Sequence, residues 1–201
     1  MHRNFYLYKK DKIKFVTGFS LIELMVSISI IVLVLGVVMT RQSSFNGAVL
    51  LRSQAYEVAL QAREVQLGAL SAVGVSGVFQ NVLGLHFDTT TSNNNYYWSF
   101  RDADSDSFYD SNEAMGKRNN LDKRFVIDKI RYVGDSGTPT NLSIVFKRPN
   151  FDAIFYESSG TQAPANVSAV LIDVRLKGTT GNGVGEVRTV EITRTGQITV
   201  Q

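Results

Sequence analysis

The chain has no cysteine in 201 residues. That absence excludes a disulfide frame, a thiolate metal centre and a cysteine nucleophile. The folded part must then be held by packing, hairpins or a metal ion. Histidine is almost as scarce, with only His2 and His86, so no zinc-spaced histidine pair exists. His86 falls in an apolar, strand-like stretch, where it is expected as a partly exposed strand residue. There is no Gly-x-Ser-x-Gly elbow and no phosphate-binding Walker loop. The expectation is a protein that is not an enzyme.

A surplus of one charge is also lacking over most of the chain. The formal net charge is +3, but residues 1–18 hold five Lys/Arg against one acid. The remainder carries a net −1. Overall charge therefore indicates no nucleic-acid partner. The pairs Lys117-Arg118, Lys123-Arg124 and Lys147-Arg148 are scattered and read as solvated surface.

Only one apolar run is long enough to span a bilayer. From Phe19 to Met39 the sole ionisable side chain is Glu23, and the rest is Leu, Ile, Val and Met with a few Ser and Gly36. At about 1.5 Å of helical rise per residue the run reaches about 32 Å, the hydrocarbon thickness of a membrane. A carboxylate inside such a span is costly, so Glu23 is a functional candidate whose partner should be named. Arg3, Lys9, Lys10, Lys12 and Lys14 precede the run and should stay cytoplasmic. In an ordinary secretory signal the small-residue cleavage site follows the apolar core. Here the small residue, Gly18, comes first.

Lys14-Phe15-Val16-Thr17-Gly18-Phe19-Ser20-Leu21-Ile22-Glu23 resembles the prepilin-peptidase site of type IV pilins and type II secretion pseudopilins. The resemblance implies cleavage after Gly18, methylation of the new amino-terminal Phe19, and retention of the apolar helix as a filament core. It also gives Glu23 a partner. A neighbouring subunit displaced by about 6 Å along the axis would place its Phe19 ammonium beside the Glu23 carboxylate. The two charges would neutralise each other in a low-dielectric setting. Many members of the family carry a disulfide near the carboxy terminus and a proline near the membrane exit. This chain has neither, and Gly36 and Gly47 are its only comparable soft points.

Three segments follow: a basic leader at 1–18, a long helix at 19–70 with the membrane segment at 19–39, and a β-rich head at 71–201. Leu51, Ala55, Val58, Ala62, Val65 and Ala69 recur at steps of four and three and form one apolar face. Arg52, Gln61 and Glu64 fall largely away from it. Beyond Ala72, strands are expected at Val78–Phe87, Tyr96–Phe100, Phe125–Val133, Leu142–Lys147, Ala153–Tyr156, Val167–Lys177, Arg188–Arg194 and Ile198–Val200. The fold expected is α+β, with the long helix packed on an antiparallel sheet. The helix ending at Ala69, the Leu83-Gly84-Leu85-His86-Phe87 strand and the closing Val190–Val200 strand-turn-strand resemble the H-type (FimT-like) branch of the family.

One stretch carries metal chemistry. Asp102, Asp104, Asp106, Asp110 and Glu113 occupy positions one, three, five, nine and twelve of a loop. That is the spacing of an EF-hand-type Ca²⁺ loop, in which Phe108 offers its backbone carbonyl and Glu113 binds through both oxygens. Hard oxygen donors suit Ca²⁺ better than a transition metal. Position six is Ser107 where glycine is usual, so Ser107 must take strained dihedrals or the loop must wrap differently.

The function expected is a structural subunit of a type IV pilus or a type II secretion pseudopilus. It would be anchored by one pass in the cytoplasmic membrane with an exported head, then built into an extracellular or periplasmic filament. Its implied partners are other pilins, the prepilin peptidase, and an assembly platform with its ATPase. A minor, tip-located pilin for adhesion or DNA uptake is one alternative. A signal-anchored calcium-binding module that never polymerises is the other.

Overall fold

A computed structural model describes residues 18–71, 82–147, 149–181, 183 and 185–201, with backbone alone at 40–45. Residues 1–17 of the leader and the start of the first expected strand, 78–81, lie outside the described residues.

Among the described residues one helix, α1, runs from Leu21 to Leu70. Ser20 starts it as an N-cap: its Oγ accepts the Glu23 N–H at 3.3 Å and its carbonyl accepts the Leu24 N–H at 3.2 Å. Within the apolar run, the hydroxyls of Ser27 and Ser29 donate to the carbonyls of Glu23 and Met25 at 2.7 and 2.9 Å. Their polarity is thereby absorbed by the helix itself. Leu21–Met39 is long and apolar enough to cross a membrane, with a mean hydropathy of 2.8 and no residue buried. At the far end the Ser71 N–H and hydroxyl satisfy the carbonyls of Leu67 and Gly68.

The chain divides into two compact units at Ser43/Ser44. The second unit contains the carboxy-terminal part of α1 as well as the strands, so the helix beyond Ser44 belongs to the head. The reason is visible in the packing. Leu51, Ala55, Val58, Ala62, Val65 and Ala69 are all buried, joined by Ala59, and they share one core with both sheets. Alanine at these positions lets the helix lie close to the strands. Gln61, expected to point away, is half-buried and donates to the Ser99 hydroxyl at 3.5 Å.

Ten strands follow among the described residues: β1 Val82–Asp88, β2 Tyr96–Asp102, β3 Asn119–Asn120, β4 Phe125–Val133, β5 Asn141–Phe146, β6 Ala153–Ser158, β7 Thr161–Gln162, β8 Ala169–Leu176, β9 Val187–Thr193 and β10 Ile198–Val200. They form a six-stranded sheet in the order β3-β2-β1-β5-β6-β7 and a four-stranded sheet in the order β10-β9-β8-β4. Every pairing is antiparallel. A bulge between Ile127 and Lys129 shifts β4 by one residue. That shift is why Phe125 and Ile127, then Ile130 and Tyr132, all reach the core. The bulged Asp128 meets Arg175 of β8 at 2.7 Å.

Candidate functional site

β1 is buried on both faces. Leu83, Leu85 and Phe87 enter the main core, while Gly84 and His86 face the other side of the six-stranded sheet. Gly84 lies opposite Phe100 of β2, whose ring would come within 2.5 Å of a Cβ built at that glycine. The missing side chain lets Phe100 lie across β1. A second, smaller aromatic cluster of His86, Trp98, Phe100, Phe108 and Tyr109 forms on this outer face.

The loop of residues 102–113 covers that cluster. Tyr109 stacks on His86 at 5.0 Å and on Trp98 at 5.2 Å, and Phe108 meets His86 edge-on. The Tyr109 N–H donates to the hydroxyl of the fully buried Ser143 of β5, which is 2.9 Å from His86 Nδ1. Ser143 Oγ accepts the Tyr109 N–H with one lone pair and keeps both its hydrogen and a second lone pair for Nδ1, so it serves either tautomer of His86. Farther along, the Gly160 N–H in the β6–β7 turn donates to the Asp106 carbonyl at 2.9 Å. The loop thus leaves β2, crosses β1 and β5, touches the β6–β7 turn and returns to β2, where the Arg101 N–H meets the Glu113 carbonyl. It is a strap over the sheet. His86 is accordingly buried rather than partly exposed, and burial lowers its pKa from 6.5 to about 4 against the opposing pull of Asp88.

Inside the strap, Asp102, Asp104 and Asp106 each bring a carboxylate oxygen within 4.8 Å of the others. Two ligands of one Ca²⁺ at about 2.4 Å can be no more than about 4.8 Å apart, so the three suit a single ion. Each carboxylate also accepts backbone N–H groups. Asp102 takes those of Ser105 and Ser107, Asp104 that of Asp106, and Asp106 that of Phe108. These turns wind the loop around its own acids. Ser107 adopts φ 64°, the left-handed conformation that the sixth position requires, and Ser105 does the same at φ 71°. The strain expected at Ser107 is present, and a second such residue accompanies it.

Asp110 and Glu113 do not join the three aspartates. Glu113 is buried, and its carboxylate oxygens accept the N–H groups of Ala103 at 2.6 Å and Asp110 at 3.2 Å. It closes the loop through the backbone. The Phe108 ring is the anchor of its segment on His86. Tyr109 feels the same surroundings: burial raises its pKa, with Asp110 and Glu113 adding to the rise. Gly18, Phe19 and Glu23 are exposed at the helix start, and the Glu23 carboxylate has no partner among the described residues.

One feature of α1 escaped the sequence reading although its spacing was available. Val49, Tyr56, Leu60 and Leu67, separated by seven, four and seven residues, are each 49–66% exposed. They form a second apolar line opposite the buried one. The class defined by fold and site is an α+β head of two antiparallel sheets whose core helix belongs to the same α1 that carries an exposed span able to cross a membrane. No protein-family model matches the chain, and neither does any curated protein or solved structure.

Proposed function

We propose that the chain is the precursor of a type IV pilin-like filament subunit, in a pilus or a type II secretion pseudopilus. The observation that carries this reading is the double-faced helix. The part of α1 in the head buries one apolar face and leaves Val49, Tyr56, Leu60 and Leu67 open on the other. A head that acted alone in water would gain nothing from such a line. A helix that packs among copies of itself needs one. The amino-terminal sequence agrees: Gly18 and Phe19 stand where the prepilin peptidase would cut and methylate, and Glu23 stands free to meet a neighbour's Phe19 ammonium.

In this reading Leu21–Met39 holds the subunit in the cytoplasmic membrane, head exported, until an assembly platform and its ATPase move it into the filament. Exchange of lipid for helix contacts is nearly neutral hydrophobically, so packing and the Phe19–Glu23 pair must set the register. The strap is assigned to Ca²⁺, with Asp102, Asp104 and Asp106 as the ligands the loop geometry supports. The ion would supply positive charge where three carboxylates converge.

The test is intact mass and amino-terminal sequencing of the protein from cells with and without the peptidase. A mature chain starting at Phe19 with one added methyl supports the proposal. A chain still starting at Met1, or cut beyond Met39, overturns it and leaves an anchored or secreted module. Glu23→Ala should keep the protein in the membrane and exclude it from filaments; normal incorporation would sink the pairing. Abundance in purified filaments then separates a major subunit from a tip-located minor one.

A further inference from the structure

Beside the strap, a cleft of about 510 Å³ is lined by Arg101, Ala103, Asn112, Glu113, Ala114 and Met115. Residues 113–115 run antiparallel along the end of β2: Arg101 N–H donates to the Glu113 carbonyl at 3.0 Å, Met115 N–H to the Ser99 carbonyl at 2.7 Å, and Phe100 bridges to Ala114. Arg101 and Glu113 therefore stand directly opposite each other, where a cross-strand ion pair is expected. None forms. Both Glu113 oxygens are already committed to the Ala103 and Asp110 N–H groups. The Arg101 guanidinium has no hydrogen bond or ion pair among the described residues, and its Nε is sealed from solvent without an acceptor. The Nε of Arg175 is buried without an acceptor too, but its guanidinium is held by Asp128 through Nη2, whereas that of Arg101 has no such partner among the described residues.

The rest of the chain shows what that partner would be. Arg124 grips Asp122 side-on, Nε and Nη2 reaching the two carboxylate oxygens at 2.8 and 2.9 Å. Arg131 holds Asp173 in the same way, at 2.8 and 2.8 Å. Arg101 offers the same fork to no carboxylate. Met115, 39% exposed, adds an apolar wall beside it. We infer that the Arg101 cleft receives an acidic side chain of a partner polypeptide. Its carboxylate would pair side-on with Nε and Nη2 as the last torsions of Arg101 turn Nε off the sheet, and its methylenes would rest on Met115. Asp102, Asp104, Asp106, Asp110 and the lining Glu113 oppose any arriving anion, so affinity rises when a divalent cation occupies the strap, and salt screens this repulsion together with the attraction of Arg101. The inference is independent of the filament reading, because it concerns the free guanidinium alone.

The test uses the full chain, isotope-labelled in detergent micelles, with the Arg101 Nε–Hε resonance and the Met115 methyl as reporters. Acetate and butyrate are titrated, with chloride and inorganic phosphate as reference anions, in chelator at high salt and again with Ca²⁺. A saturable shift of both reporters is expected, half-complete at millimolar carboxylate, with butyrate tighter than acetate. Arg101→Lys, which keeps the charge and loses the fork, should weaken binding about tenfold. Arg101→Met should abolish it while the melting temperature stays the same or rises, since an orphaned donor is removed. No saturable response to carboxylate, or an equal response to chloride or phosphate, overturns the inference. So does a lower melting temperature for Arg101→Met, which would make the side chain structural.

Discussion

Substituting Asp104 by Asn should change stability in opposite directions with and without Ca²⁺. Three carboxylate oxygens lie within 4.8 Å of one another. Full charges at that distance repel by about 0.9 kcal/mol per pair even at the dielectric of water, or about 2.6 kcal/mol for three pairs. Asp104→Asn removes two of these pairs while an amide oxygen can still accept the Asp106 N–H. In chelator the variant should then be more stable than the parent by about 1–2 kcal/mol, less in high salt. In the parent, Ca²⁺ at about one hundred times its Kd adds about 2.7 kcal/mol. For a domain of this size that is a rise of about 5–10 °C in melting temperature. The variant should lose most of it. Scanning calorimetry of the full chain measures both effects. The only tryptophan, Trp98, stacks on Tyr109 of the strap at 5.2 Å and gives a local optical signal for the same event. If millimolar Ca²⁺ moves neither the melting temperature nor Trp98 emission, the loop is not a calcium site. If Asp104→Asn destabilises the protein in chelator, repulsion is not what the loop stores.

Acid should weaken the head through His86. Its folded pKa of about 4 lies below its ordinary 6.5, so the unfolded chain binds the extra proton first. Stability is full above pH 6.5 and falls as pH drops towards 4, by about 3 kcal/mol in all. His86→Phe should flatten the pH dependence of the melting temperature in that window, and an unchanged slope would reject the assignment. Gly196→Ala should cost more than about 3 kcal/mol in chemical denaturation. Gly196 has φ 81°, and a Cβ there would sit 2.0 Å from the Phe151 carbonyl oxygen. Near-normal stability would mean that this turn relaxes freely. Leu60→Glu should leave the melting temperature within about 0.5 kcal/mol of the parent's equivalent stability, because Leu60 is exposed. It should nonetheless reduce filament yield, and undiminished filaments would remove the role assigned to the open face.

Much of the fold could be read from spacing. The buried helix line from Leu51 to Ala69 follows from steps of three and four. The phase slip between Ile127 and Ile130 is the trace of the β4 bulge. Strand order was not legible, because β1 pairs with β5 across more than fifty residues that carry no local mark of the partnership. Nor were the two-residue strands β3 and β7, which are too short to show a period. In the loop, acidic spacing located Asp102, Asp104 and Asp106. It could not reveal that Glu113 turns to the backbone, since that depends on where Ala103 and Asp110 present their N–H groups. The burial of His86 was hidden for a related reason. It is created by Tyr109 and Phe108 folding back from some twenty residues away.

The strap begins and ends at the same place. It departs from Asp102 and is received again at Glu113, whose carbonyl meets the N–H of Arg101, the residue just before the departure. A segment with touching ends is, topologically, a removable insert: a short turn could replace it without disturbing any strand pairing. Chemically it is not removable, because excision would uncover Phe100, His86 and Trp98 together and turn a sealed sheet into an adhesive one. A shortened variant should keep its backbone topology and lose its solubility. The exposed Asp104 and Asp110 could therefore vary freely while Asp102 and Glu113 hold the turns and Phe108 and Tyr109 stay committed to the sheet beneath them.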